Sequence, residues 1–134
     1  MTKKLEISAS KKPEIGKDQV ALLEKLCNAV AVSGDEHEVR LIVLDAIKLV
    51  ADDVKVDALG NVLATKFGRG DQRVRVMVDA HMDEIGFMIV KDDEGGLFEF
   101  ALVGGIDERV LPGKPVVVGR EHIPGVIGAK AIHL

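Results

Sequence analysis

Apolar positions along this chain fall into two regimes. Between Asp18 and Val50 they recur every three or four residues; beyond Val54 they come in short runs separated by Gly, Pro and Asp. The first regime predicts two helices. Val20, Leu23, Leu26, Cys27 and Val30 form one stripe, with Asp18 at the positive end of the helix dipole. Val39, Ile42, Val43, Ala46, Ile47 and Val50 form a second stripe that ends near Asp52. Before it stands Ser33-Gly34-Asp35-Glu36, a capping-box pattern in which Ser33 and Glu36 would satisfy the first free N–H groups of the second helix.

The second regime predicts strands. Val54 and Val56 lead through an Asp57-Ala58-Leu59-Gly60-Asn61 turn into Val62–Phe67, and Gly68–Asp71 turns the chain again. Val74-Arg75-Val76-Met77-Val78 then reads as a buried strand that ends in a polar knot, and Ile85–Val90 as another strand leaving it. Asp92-Asp93-Glu94-Gly95-Gly96 joins Met88–Val90 to Leu97–Val103 as a hairpin, and Pro112-Gly113 and Glu121-His122 mark turns around Val116–Val118. Helices and strands in this order predict the start of an α/β domain followed by a β-rich region, with the change of character near Glu84. The expected organisation is a mobile N-terminal arm without chemistry over 1–17, an α/β segment over 18–84 and a β-rich segment over 85–134.

The knot between the two central strands carries the chemistry. Core strands do not ordinarily hold His81, Asp83 and Glu84 together, and in extended chain residues two apart share a face, which sets the His81 imidazole beside the Asp83 carboxylate. A metal-bound imidazole commonly gives its other ring N–H to a carboxylate, which fixes the tautomer and strengthens the ligand. The same spacing also suits a strand-end histidine among solvated acids. Asp79 falls on the same face, either as a further acid near the pair or as part of the strand end.

Composition narrows the classes. The 134 residues carry 22 acids and 18 bases, a net charge of −4, and so no basic footprint for nucleic acid. No apolar run approaches a membrane span and no apolar segment follows the N-terminal lysines, which makes the cytoplasm the expected location. With one cysteine there is no intrachain disulfide, and Cys27 is expected as a buried, inert thiol on the first helix. The absence of Trp and Tyr, with only four Phe, leaves few stacking platforms for sugars or bases. His37 between Glu36 and Glu38 reads as part of a solvated face, His122 as an exposed turn residue, and Asp107 and Arg109 as surface or interface residues or as plain turn residues.

Ala80-His81-Met82-Asp83-Glu84-Ile85-Gly86-Phe87 resembles the first metal-ligand segment of the glutamyl and deblocking aminopeptidase family. Ser33-Gly34-Asp35-Glu36 with Val39-Arg40, Asp57–Asn61, Val103-Gly104-Gly105-Ile106-Asp107 with Arg109 and Leu111, and Gly125–Gly128 with His133-Leu134 follow in the family's order. From about Val20 onward the chain is therefore similar to the N-terminal part of these cytosolic dinuclear-metal peptidases. The resemblance implies an α/β catalytic domain interrupted after Glu84 by a β-rich, partial-barrel dimerisation domain, inside which Leu134 would fall. It implies His81 as a metal ligand and Asp83 as the catalytic-site carboxylate that orients it. It also implies two divalent ions, zinc or cobalt, peptide substrates, and a homo-oligomeric, dodecameric shell.

The remaining ligands and the general base of such a site would lie beyond Leu134. One imidazole does not hold metal tightly, so the chain by itself is expected to be inactive and metal-poor. His133 matches a family position and is expected to make a structural hydrogen bond. Two other readings stand beside the enzyme: a non-catalytic folding and association module, and the glycoside hydrolase (endoglucanase) label of some relatives, which the shortage of aromatic platforms disfavours.

Overall fold

Residues 14–71 and 73–129 are described by a computed structural model of the chain. Its first element, α1 (Lys17–Asn28), begins where the periodic segment begins. The Gly16 N–H is satisfied by Gln19 Oε1 at 2.9 Å, Asp18 lies in the first turn and Lys25 in the last, each at the favourable end of the dipole. The second helix, α2 (His37–Ile47), stops five residues before the expected end at Asp52, its last carbonyl, that of Ile47, accepting from the Val50 and Ala51 N–H groups at 2.9 Å each.

The expected capping box does not form. Gly34 lies in the left-handed region at φ 97°, which bars a helix starting there, and α2 starts instead after Glu36 with no side-chain cap. Glu36 Oε1 accepts the Gly34 N–H at 2.6 Å, and the Ser33 hydroxyl is used elsewhere.

Strands follow as three antiparallel hairpins. β1 (Asp53–Val56) pairs with β2 (Val62–Thr65) in the register Asp53↔Thr65 to Val56↔Val62. Asp57 organises their turn: its Oδ1 accepts the Leu59 and Asn61 N–H groups, both at 2.9 Å, and Gly60 takes φ 88°. β3 (Gly86–Asp92) pairs with β4 (Phe98–Val103) from Gly86↔Val103 to Asp92↔Phe98, with a register irregularity between Ile89 and Lys91. Phe87 and Phe100 meet edge-on across it, centroids 4.8 Å apart. A 3₁₀ turn over Glu108–Val110 precedes β5 (Pro115–Val118) and β6 (Ile123–Val126). The turns read at Asp57–Asn61, Asp92–Gly96, Pro112-Gly113 and Glu121-His122 are therefore present.

One expected element is not. Residues 73–83 form no strand, and Val74 and Val78 are 88% and 91% exposed where the sequence predicts burial. A parallel-type buried strand needs neighbours on its edges and layers over both faces, and no described strand pairs with this segment. The α1 stripe is similarly bare: Leu26 packs inward, while Val20 and Leu23 are exposed and Cys27 is exposed rather than buried. A single neighbouring helix covers too little of α1 to shield the whole stripe.

The principal core cluster is correspondingly small, with Ala29, Ala31 and Val39 buried and Leu26, Ile42 and Met82 packed against them. Unpaired hairpin edges and bare apolar side chains favour association. Light scattering on the 134-residue chain is expected to show dimers or larger species. A monodisperse monomer at high concentration would mean that the β-rich half closes on itself.

Candidate metal centre

The core cluster places the polar knot. Met82 packs on the cluster formed by the buried Ala29, Ala31 and Val39, and the chain just after it is bonded to the Ala31–Ser33 segment. The Glu84 N–H donates to the Ala31 carbonyl at 2.8 Å, and Val32 and Glu84 form an isolated parallel bridge. Gly86 is buried two residues later, and a Cβ there would lie 2.4 Å from Val32 Cγ2. A glycine here leaves the Val32 isopropyl group its room against the chain. The crossing fixes Ser33 on one segment of the junction against Asp83 on the other, although they are 50 residues apart in sequence.

At this junction the side chains form a relay. Ser33 Oγ donates to Asp83 Oδ2, and His81 Nδ1 lies 3.0 Å from Asp83 Oδ1 and 3.0 Å from the Asp83 main-chain oxygen. The Ser33 hydroxyl first, and the His81 ring second, hold the Asp83 carboxyl below its ordinary value, so it is ionised at neutral pH. Both oxygens facing Nδ1 can then only accept, which assigns the ring proton to Nδ1. In the neutral ring the lone pair then falls on Nε2, on a side chain that is 86% exposed. This is the form in which a neutral imidazole binds a divalent cation.

The donor set suits one bond to a metal rather than a whole coordination sphere. Among the described residues no group of three His, Cys, Asp or Glu side chains converges on a common point, whereas a catalytic zinc takes three protein ligands. Asp79 is exposed and makes no hydrogen bond with His81 or Asp83 among the described residues.

A second polar cluster lies on the other side of Ser33-Gly34. Arg120 Nη2 donates to Asp35 Oδ1 at 2.8 Å, and His122 Nε2 lies 2.9 Å from Glu38 Oε2. His122 is thus an exposed turn residue, as expected, and is in addition paired with Glu38. Glu38 is held below its ordinary value first by the Val30 N–H and then by His122. These pairs tie the β5–β6 turn to the start of α2. Asp107 caps the 3₁₀ turn and forks onto Arg109, which is the turn role expected of them. His37 is exposed, as expected of a solvated face, and His133 lies outside the described residues.

Sequence reasoning missed Ser33 as part of the knot, because the S-x-x-E spacing offered a local use for its hydroxyl. Nothing in a local pattern encodes a partner 50 residues away.

Comparison with known proteins adds the following. A family model described as M42 glutamyl aminopeptidase matches residues 60–134. The lysyl aminopeptidase of Pyrococcus furiosus is 38% identical over 116 residues, covering 84% of this chain and 33% of its own length. The solved structure of an endoglucanase from Thermotoga maritima superposes with a TM-score of 0.74 at 42% identity, covering 81% of this chain and 34% of that one. The Pyrococcus horikoshii TET1 peptidase, which can assemble into a tetrahedron or a large octahedral shell, matches with a TM-score of 0.65 at 40% identity, over 86% of this chain and 34% of its own. The chain spans about a third of the length of these relatives.

Proposed function

The chain belongs to the M42 glutamyl aminopeptidase family, and from that premise we propose that it supplies part of a metal-dependent aminopeptidase: the segment that carries one metal-binding imidazole and sets its orientation. The observation that carries this reading is the His81–Asp83 contact at 3.0 Å, which leaves Nε2 outward with its lone pair. His81 is the ligand and Asp83 the carboxylate that holds its tautomer, with Asp83 itself held by Ser33. Two divalent ions, zinc or cobalt, would polarise the scissile carbonyl and lower the pKa of an attacking water. The chain's own part is to hold one imidazole at a fixed angle, and the segments that relatives carry beyond it would supply the rest.

Residues 85–134 belong in this reading to an inserted dimerisation domain, and residues 18–84 to the catalytic domain. The shells formed by the P. horikoshii relative support a homo-oligomeric assembly, and peptides are the proposed substrates. A cytoplasmic location goes with it; among the described residues no helix is long and apolar enough to cross a membrane.

The test is a chimera in which this chain replaces the matching segment of the P. horikoshii peptidase. It is expected to release amino acids from chromogenic aminoacyl substrates, to lose that activity to a chelator and to regain it with cobalt. The 134-residue chain alone is expected to show none. A chimera that assembles and retains metal yet cleaves no aminoacyl substrate would favour the folding-module reading, and hydrolysis of a β-glucan by it would favour the endoglucanase label.

A further inference from the structure

Resting on the reading of His81 as a ligand, we infer that Ser33 is a positioning residue for the metal-binding imidazole: its hydroxyl holds the Asp83 carboxylate at the rotation that presents Oδ1 to His81 Nδ1–H. Three observations carry this. The contacts divide the carboxylate cleanly, Oδ2 to Ser33 Oγ and Oδ1 to His81 Nδ1. A carboxylate with one oxygen fixed has lost its rotation about the Cβ–Cγ bond, so the other oxygen is aimed rather than averaged. Ser33 is itself held by backbone, through the Val32↔Glu84 bridge, the Ala31–Glu84 hydrogen bond at 2.8 Å and an Asp35 N–H to Val32 carbonyl turn at 2.8 Å.

The hydroxyl is free for this task because it caps nothing. The helix that follows begins after Glu36, and the residue that satisfies the Gly34 N–H is Glu36, not Ser33. A serine retained for helix stability would bond to the first turn of α2. This one reaches across the junction to the segment that holds the ligand. Its role is therefore on the angle and tautomer of His81, two hydrogen bonds away, and not on the reacting atoms.

The measurement is a long-range proton–nitrogen correlation spectrum of the His81 ring in the 134-residue chain. It is recorded at about pH 8.5, well above the ordinary imidazole value of about 6.5, so that the neutral tautomers are resolved. The native chain is expected to show mainly the Nδ1–H form. Ser33→Ala frees the carboxylate to rotate, and the ratio of Nδ1–H to Nε2–H forms should fall about fivefold, the worth of one net hydrogen bond. Ser33→Thr keeps the hydroxyl and should keep the ratio, while Ser33→Cys keeps the shape with a weaker donor and should behave like Ser33→Ala. Amide resonances of β3 and β4 report whether each variant folds.

An unchanged ratio in a folded Ser33→Ala chain, or equal ratios in the Thr and Cys variants, would overturn the assignment. Zinc titration at the same nitrogens separates it from the family reading. An Nε2 resonance indifferent to millimolar zinc counts against His81 as a ligand, and so against the positioning role as stated. A normal zinc response with an unchanged ratio in Ser33→Ala overturns the Ser33 role alone.

Discussion

Replacing His81 by alanine in the chimera should remove one metal ion per subunit and essentially all turnover. The imidazole is the metal donor that this segment offers, its Nε2 turned outward on an exposed side chain while Nδ1 is committed to Asp83. A metal held by few protein ligands does not survive the loss of one, because the remaining donors cannot complete the coordination sphere or fix the water. Folding should be indifferent, since His81 is exposed and buries no apolar surface. Elemental analysis after dialysis, with circular dichroism as the control for fold, decides it. Full metal occupancy and turnover in a folded His81→Ala chimera would remove His81 from the site.

Asp83→Asn comes next in size. The amide keeps the shape and can still accept from Ser33, but it removes the negative charge that faces the His81 ring. A partner of this kind raises the basicity of the ligand, and its loss typically costs about 10- to 100-fold in metal affinity or activity. The expected result is a decrease of that order with an unchanged thermal transition of the metal-free protein. Asp79→Asn provides the internal comparison, because Asp79 makes no contact with the ring among the described residues and should have little effect. Intact affinity in Asp83→Asn together with a loss in Asp79→Asn would transfer the orienting role to Asp79.

The two helices and the first two hairpins were legible because each is a local decision. Helical periodicity over residues 18–47 and turn chemistry at Asp57–Asn61 and Asp92–Gly96 need only neighbours in sequence. The helix boundary at α2 was misread where a local signal competed with another local one: Ser33 and Glu36 spell a cap, but Gly34 at φ 97° starts the helix three residues later. Val74–Val78 shows the opposite case. Its β-branched run carries the composition of a buried strand, yet a strand's identity lies in its partners, and no described segment pairs with it.

By itself the sequence determined that His81 and Asp83 stand two residues apart, a spacing that lets one side chain reach the other where the backbone between them is not helical. It also determined Gly86, without which the junction could not close against Val32. Tertiary structure alone decided that the second oxygen of Asp83 belongs to Ser33, that His122 belongs to Glu38 and that Arg120 belongs to Asp35. Those partners are 50, 84 and 85 residues distant. Hydrogen bonding is short-ranged in space and blind to sequence separation, so such pairs exist only once the Val32–Glu84 crossing and the β5–β6 turn have brought the chain back upon itself.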